Sequence, residues 1–328
     1  MATYKGIQGY SVQKLSSDPT AEDAVGQLWY NSTAGKFKIA VAGAGAWASG
    51  GALNTARRAA MAGGVQSLAF VTGGSTAPPV SAISATEIYN GSAWTETGHA
   101  LTNARRYGVG FGTTTAGIAV GGTDPTVASD YTETYNGSTW SEVGDLNTPR
   151  TQIMCAVGGT TTAGLVFGGN PGGLDLTEKW DGTSWTELAD LNTVRVAGGG
   201  AGTSTAALAS TGSTPGPFTA NTEKWDGTSW TEVNDVNQAR QGVASAGHTN
   251  TAAMIFGGET PSLTVNTETW DGTSWTEVAN MANANYIAAG AGTSVAALSI
   301  GGYPVGANGL LTEAWSDPVY TNKTVTVS

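Results

Sequence analysis

Thr177-Glu178-Lys179-Trp180-Asp181-Gly182-Thr183-Ser184-Trp185 is the stretch on which the fold turns. Its first four residues alternate in character, the period of two that suits a strand. Asp-Gly follows; such a pair tolerates positive φ and closes a tight hairpin. The last tryptophan then opens a return strand. Close copies open at Thr86, Thr132, Thr222 and Thr267, so the intervals from Thr86 onward are 46, 45, 45 and 45 residues. A sixth copy opens at Thr312, reads Thr312-Glu313-Ala314-Trp315, and leaves the pattern at Ser316-Asp317-Pro318.

Two further features keep step. A glycine pair ends a short apolar run at Gly73-Gly74, Gly121-Gly122, Gly168-Gly169, Gly257-Gly258 and Gly301-Gly302, with Ser210-Thr211-Gly212 in the fourth unit. An arginine opens the small-residue run upstream, at Arg58, Arg106, Arg150, Arg195 and Arg240, and Asn285 takes that place in the sixth. Each unit reads as four short strands. The first starts near the arginine and is rich in Gly and Ala, as in Arg195-Val196-Ala197-Gly198-Gly199-Gly200. Small side chains suit strands that converge on an axis. The second is apolar, the third alternates, and the fourth begins at the tryptophan. Four antiparallel strands in about 45 residues is the arithmetic of a β-propeller blade. A β-solenoid, the main competitor, has shorter coils and lacks the hairpin.

These residues resemble the kelch repeat, which carries a glycine pair after its second strand, a Glu-x-Tyr-Asp-like third strand and a tryptophan in the fourth. The counterparts in the second unit are Gly121-Gly122, Glu133, Tyr135 and Trp140. The resemblance covers roughly residues 44–315 and implies an all-β, six-bladed, kelch-like propeller of four-stranded blades.

The sixth unit lacks its fourth-strand tryptophan. Residues 46–58, Ala-Trp-Ala-Ser-Gly-Gly-Ala-Leu-Asn-Thr-Ala-Arg-Arg, resemble residues 93–106. Trp47 is therefore expected on an N-terminal strand that completes the sixth blade and closes the ring, which removes exposed edges. Three segments result: 1–43 an anchoring segment, 44–315 the propeller, 316–328 a tail. Within the first, Leu28-Trp29-Tyr30-Asn31 and Lys36-Phe37-Lys38-Ile39-Ala40-Val41 flank Ser32-Thr33-Ala34-Gly35 and read as a hairpin. Residues 1–24 show no periodicity and are expected to be extended or docked on a partner. Thr324-Val325-Thr326-Val327 alternates and is expected to form one more strand.

The run Gly26-Gln27-Leu28-Trp29-Tyr30-Asn31 with Trp47 is similar to a segment of bacteriophage structural and tail-fibre proteins, and Trp-Asp-Gly-Thr-Ser-Trp-Thr-Glu is similar to repeats of propeller proteins encoded by marine phages. The resemblance implies a virion component made in the host cytoplasm. Residues 1–43 would bind other virion proteins, and the propeller would serve as tail fibre, adhesin or surface decoration.

Composition narrows the rest. The chain of 328 residues has a net charge of −11, which repels phosphate backbones, so nucleic acid is not an expected partner. No apolar run approaches the ~20 residues of a membrane span, and no leader pattern is evident at the N-terminus. Cys155 is the single cysteine; on a small apolar strand it reads as a buried, inert thiol.

Six glutamates recur with the motif: Glu87, Glu133, Glu178, Glu223, Glu268 and Glu313. A catalytic carboxylate is needed in one place, not six times around a ring, so these are expected to bond backbone amides or to pair with the arginines inside the blades. The alternative for the arginines is a basic collar at the channel, suited to bidentate anion binding. Trp47, Trp94, Trp140, Trp185, Trp230 and Trp275 recur as packing between blades would require. Asp181 and Gly182 are adjacent, whereas the sialidase Asp-box has a residue between them. His99 and His248 form neither a metal pair nor a triad. No catalytic residue, cofactor or metal is expected. Specificity is expected in the loops between second and third strands (residues 75–85, 123–131, 170–176, 213–221, 259–266 and 303–311), which differ freely and would meet a host-surface glycan or protein. A carbohydrate-active enzyme on a propeller scaffold and an intracellular protein-interaction propeller are the alternatives.

Overall fold

The computed structural model describes residues 12–76, 80–124, 126–214 and 216–325. The chain divides into two compact units, Trp47–Trp315 and Met1–Ala46 with Ser316–Ser328. The C-terminal tail thus belongs with the N-terminal segment and is not a separate piece. Among the described residues the fold is all-β apart from the short helix Val305–Asn308, with seven four-stranded sheets and one small hairpin, Glu259–Thr260 with Ser262–Leu263.

Six of the sheets follow the repeat, and in five of them the four strands pair in chain order, the small hairpin interrupting the fifth between its second and third strands. The third sheet holds Met154–Cys155, Gly164–Gly169, Leu174–Trp180 and Trp185–Glu187, all antiparallel. In the sixth, Ala289–Thr293, Ala296–Ile300 and Thr312–Ser316 are joined at the outer edge by Ala46–Ser49. Trp47 therefore stands where Trp185 stands in the third. Inner strands begin later than the arginine: in the fourth sheet the strand runs Gly199–Thr203, four residues past Arg195. The delay has a local cause, because Ala197, two residues after Arg195, is left-handed at φ 53° and cannot belong to a ladder.

Each inner strand touches two others, and the contacts run from Met61–Val65 to Val109–Thr113 and onward through the sheets until Ala289–Thr293 meets Met61–Val65. The approach is so close that a Cβ on Gly200 would lie 2.1 Å from the Cys155 carbonyl oxygen, and one on Gly290 would lie 2.2 Å from that of Ser245. This requires glycine at both positions.

The apolar core is split into six layers, each shared by two sheets. Phe111, Ile118 and Val120 of the second sheet meet Val166, Trp180 and Trp185 of the third. Leu298 and Ile300 of the sixth meet Val71, Tyr89 and Trp94 of the first. The layers are pinned by one repeated hydrogen bond. Trp Nε1 of each sheet donates to the motif threonine of the sheet before it: Trp140 to Thr86, Trp185 to Thr132, Trp230 to Thr177 and Trp275 to Thr222, at 2.9–3.0 Å. Trp94 donates to Thr312 at 2.9 Å and Trp47 to Thr267 at 3.0 Å. The glycine pair makes a second set of links. The second glycine donates its N–H to a backbone carbonyl in the following connection, that of the arginine, as Gly122 does to Arg150 at 2.8 Å and Gly302 to Arg57 at 2.9 Å, or that of Asn285, to which Gly258 donates at 2.6 Å. In the fourth sheet Thr211 adopts the left-handed conformation of the missing first glycine, φ 54°.

In the smaller unit, Leu28–Asn31 and Lys36–Gly43 form the hairpin. Val319–Thr324 pairs antiparallel with the second of these strands. The C-terminal strand therefore precedes the alternating run at 324–327, and residues 326–328 lie outside the described residues. Gln13–Leu15 adds a parallel strand beside Leu28–Asn31, so part of the stretch expected to be unpatterned is ordered in a sheet; residues 1–11 lie outside the described residues. Asp18 fastens this segment by accepting bonds from Trp29 Nε1 (3.1 Å), Asn31 Nδ2 (2.6 Å) and Lys38 Nζ (2.6 Å).

Two outcomes follow. Trp47→Ala removes the bond to Thr267 and the ring contacts with Phe256 and Trp315. It should lower unfolding free energy by about 3 kcal/mol, read by urea denaturation; a loss below about 0.5 kcal/mol would mean that the N-terminal strand contributes little. The bonds to Lys38 and Asn31 depress the Asp18 carboxyl from 3.8 to about 2. Its contribution is therefore present above the unfolded-state value and lost as pH falls from about 4 toward 2. The Asp18 carboxyl resonance should titrate near 2 in the native protein and near the ordinary value in Asn31→Ala/Lys38→Ala.

Candidate functional site

The repeated charges lie inside the sheets. Arg150 pairs with Glu178 at 2.7 Å, Arg195 with Glu223 at 2.5 Å, and Arg240 faces Glu268 at 3.0 Å without an aligned hydrogen bond. In the first two sheets the pairing arginine is not the expected one. Arg57 binds Glu87 at 2.6 Å and Arg105 binds Glu133, whereas Arg58 and Arg106 lie one residue further on and carry no ion pair among the described residues. The leucine four residues upstream marks the correct register, as Leu53 does for Arg57, Leu101 for Arg105 and Leu146 for Arg150. Where two arginines stand in tandem, only that spacing tells them apart.

Each carboxylate also holds the connection entering its own sheet. Glu178 accepts from the backbone N–H of Asn147 (2.8 Å) and from its Nδ2 (2.7 Å), and Asn147 donates on to the Trp185 carbonyl. Arg150 Nη1 donates to the carbonyls of Gly168 and Leu176. Burial pushes the Arg150 guanidinium below its ordinary value, and the facing Glu178 opposes that. In the sixth sheet Asn285 replaces arginine and donates to the Gly301 carbonyl, while Glu313 accepts from Ala282 N, Asn283 N and Asn283 Nδ2. Trp94, Trp140, Trp185, Trp230 and Trp275 are buried and Trp47 is half-buried. The repeated side chains are thus bonded within or between sheets and do not converge on one point.

What converges is the pair of residues after each of the five paired arginines and after Asn285, their counterpart in the sixth sheet. Arg58, Arg106, Thr151, Val196, Gln241 and Tyr286 each bridge to the start of a loop between second and third strands, as Arg58 does to Ser75 and Tyr286 to Tyr303. This bridging places the inter-sheet connections and the variable loops at one end of the larger unit. The next residues, Ala59, Tyr107, Gln152, Ala197, Gly242 and Ile287, are all left-handed, with φ between 50° and 63°. Their backbones form a closed circle: Tyr107 N–H donates to Ala59 O, Gln152 to Tyr107, Ala197 to Gln152, Gly242 to Ala197, Ile287 to Gly242 and Ala59 to Ile287, at 2.7–3.0 Å. Left-handed backbone costs a non-glycine residue roughly 1–2 kcal/mol, and each such residue gains a satisfied N–H and C=O. The circle borders a cavity of about 120 Å³ lined by Gly108, Gly198, Cys155 and alanines. Burial pushes the Cys155 thiol up to about 12, so no thiolate forms there near neutrality.

Of these twelve positions the repeat marks only Arg58 and Arg106; no two of the six residue pairs are alike. That variation inside an otherwise repeated frame is the signal that marks them. On the face they form, the Arg58 guanidinium lies 5.1 Å from the Tyr303 ring centre and the Arg106 guanidinium 5.2 Å from that of Tyr107. Burial, with Glu259 and Tyr107 nearby, raises the Tyr286 hydroxyl to about 12. A second cavity of about 320 Å³ opens among Gln152, Asn170, Ser213, Thr214 and Gln241. Among the described residues no group of three or more His, Cys, Asp or Glu is placed to hold a metal, and no helix is long and apolar enough to cross a membrane. No protein-family model matches the chain, and no curated protein matches it.

The register correction has a direct test. Arg57→Gln strips Glu87 of its buried partner and should destabilise by about 3–5 kcal/mol. Arg58→Gln removes only a stacking contact and should stay within about 1 kcal/mol of wild type. Denaturation midpoints in the reverse order would return the structural role to Arg58.

Proposed function

We propose that the larger unit is a six-bladed, kelch-like β-propeller whose ring is closed by Ala46–Ser49, and that the chain is a non-enzymatic structural protein of a phage particle. In this reading the unit built from both chain ends fastens the protein to other virion proteins, and the loop-bearing end of the propeller meets a host-surface glycan or protein. Closure is supported by the Trp–Thr bonds, which step from each sheet to the one before it and return to their start through Trp94–Thr312 and Trp47–Thr267.

The binding reading is carried by one observation. The side chains that repeat are tied up in buried ion pairs and hydrogen bonds, while those that differ gather at one end around a rigid backbone circle. A scaffold that holds its shape with invariant residues and varies the residues at one mouth is suited to recognition. The resemblance of the repeats and of residues 26–47 to phage structural proteins supplies the virion part.

Mass spectrometry of purified particles should find the chain at a fixed copy number, and electron microscopy with an antibody to the larger unit should label one structural feature. Absence from every particle preparation would overturn the virion reading.

A further inference from the structure

The end that carries the backbone circle has two chemically distinct halves. The sixth, first and second sheets supply Tyr286, Tyr303, Arg58, Arg106 and Tyr107; the third to fifth supply Thr151, Gln152, Val196 and Gln241. In a chain of net charge −11, five arginines are matched to buried glutamates, yet Arg58 and Arg106 have no carboxylate partner among the described residues. Arg58 Nε is buried and unbonded. Both guanidiniums lie against phenol rings, an arrangement that leaves their N–H edges free for a planar anion. Tyr303 remains exposed, and the ring of Tyr286 covers Gly242 so closely that a Cβ there would lie 2.0 Å from it. Aromatic faces of this kind stack on sugar rings.

The other half carries a single carboxylate near the circle, Glu259, bridged to Gln241 at its edge beside Tyr286 and away from Arg106. Its cavity of about 320 Å³ presents the amides of Gln152, Asn170 and Gln241 and the hydroxyls of Ser213 and Thr214. These are donors and acceptors suited to the hydroxyl groups of a pyranose. The halves are contiguous, because Gln152 N–H donates to the Tyr107 carbonyl at 2.7 Å. We infer that this face binds an acidic oligosaccharide, with the sugar carboxylate on Arg58 and Arg106 beside the tyrosines and a neutral neighbouring sugar in the amide-lined cavity. The inference rests on the binding reading above and names its ligand class. A phosphate polymer is disfavoured by the acidic remainder of the chain.

The purified chain is applied to an array of uronate- and sialate-bearing oligosaccharides, with their methyl esters and neutral counterparts alongside. Calorimetry then follows the strongest binder. An acidic glycan should bind, its methyl ester should bind about tenfold or more weakly, and Arg58→Gln/Arg106→Gln should lose a similar factor. Gln152→Ala should weaken acid and ester alike. The variant Arg58→Lys/Arg106→Lys keeps the charge but not the fork and should fall between, which preserves the test if the glutamine variant unfolds. Retention of no acidic glycan, equal binding of acid and ester, unchanged binding by both double variants, or equal competition by inorganic sulfate or an acidic peptide would each overturn the site. Because the measurement uses soluble protein, binding without particle association would refute the virion reading alone, and particle association without binding would refute this site alone.

Discussion

The larger unit depends on the indole N–H of one sheet reaching the threonine hydroxyl of the sheet before it. A propeller-like stack has no common centre to collapse onto; its apolar surface is buried in thin layers between neighbours. Apolar contact alone would let two sheets slide, because burial of area has no direction. A directional bond between two otherwise buried polar groups fixes the offset, and leaving either group unmet would carry a desolvation penalty. Each sheet thereby sets the position of the next, and the register is passed along all six.

The buried arginine–glutamate pairs act within a sheet. They tie the incoming connection to the third strand, through Asn54, Asn147, Asn192 and Asn237 as well as through the guanidinium. Such a pair gives little net stability over apolar packing, but it is intolerant of losing one partner. Its value is in specifying where the connection runs. In the sixth sheet, where Asn285 stands in place of the arginine, Glu313 is held by Ala282 and Asn283.

Much of this was legible in the sequence because the repeat is read against itself. Five tryptophans at fixed spacing predict five outer strands, and the likeness of residues 46–58 to residues 93–106 places Trp47 on the sixth. Local cues are ambiguous elsewhere. Tandem Arg57-Arg58 and Arg105-Arg106 offer two registers, and the first of each is the one that pairs. The inner strands begin past the small-residue start because left-handed alanine, tyrosine, glutamine and isoleucine carry no compositional mark of that conformation. Gln13–Leu15 has no signature because a three-residue parallel strand is too short to alternate visibly. The basic collar weighed for the arginines holds only for Arg58 and Arg106, and Tyr107, which carries no repeat mark, comes beside them only through the backbone circle.

That circle has an electrostatic consequence. In a helix, peptide dipoles add along an axis and leave partial charge at each end. Here six residues each give their N–H to one neighbour and their C=O to the other around a closed loop. The polar groups of that backbone are spent on one another, so the charge at the mouth is set by side chains. A few substitutions at positions such as 58, 106 and 241 could reverse its sign while every backbone bond stayed in place. That is a scaffold whose polarity can drift freely while its shape does not.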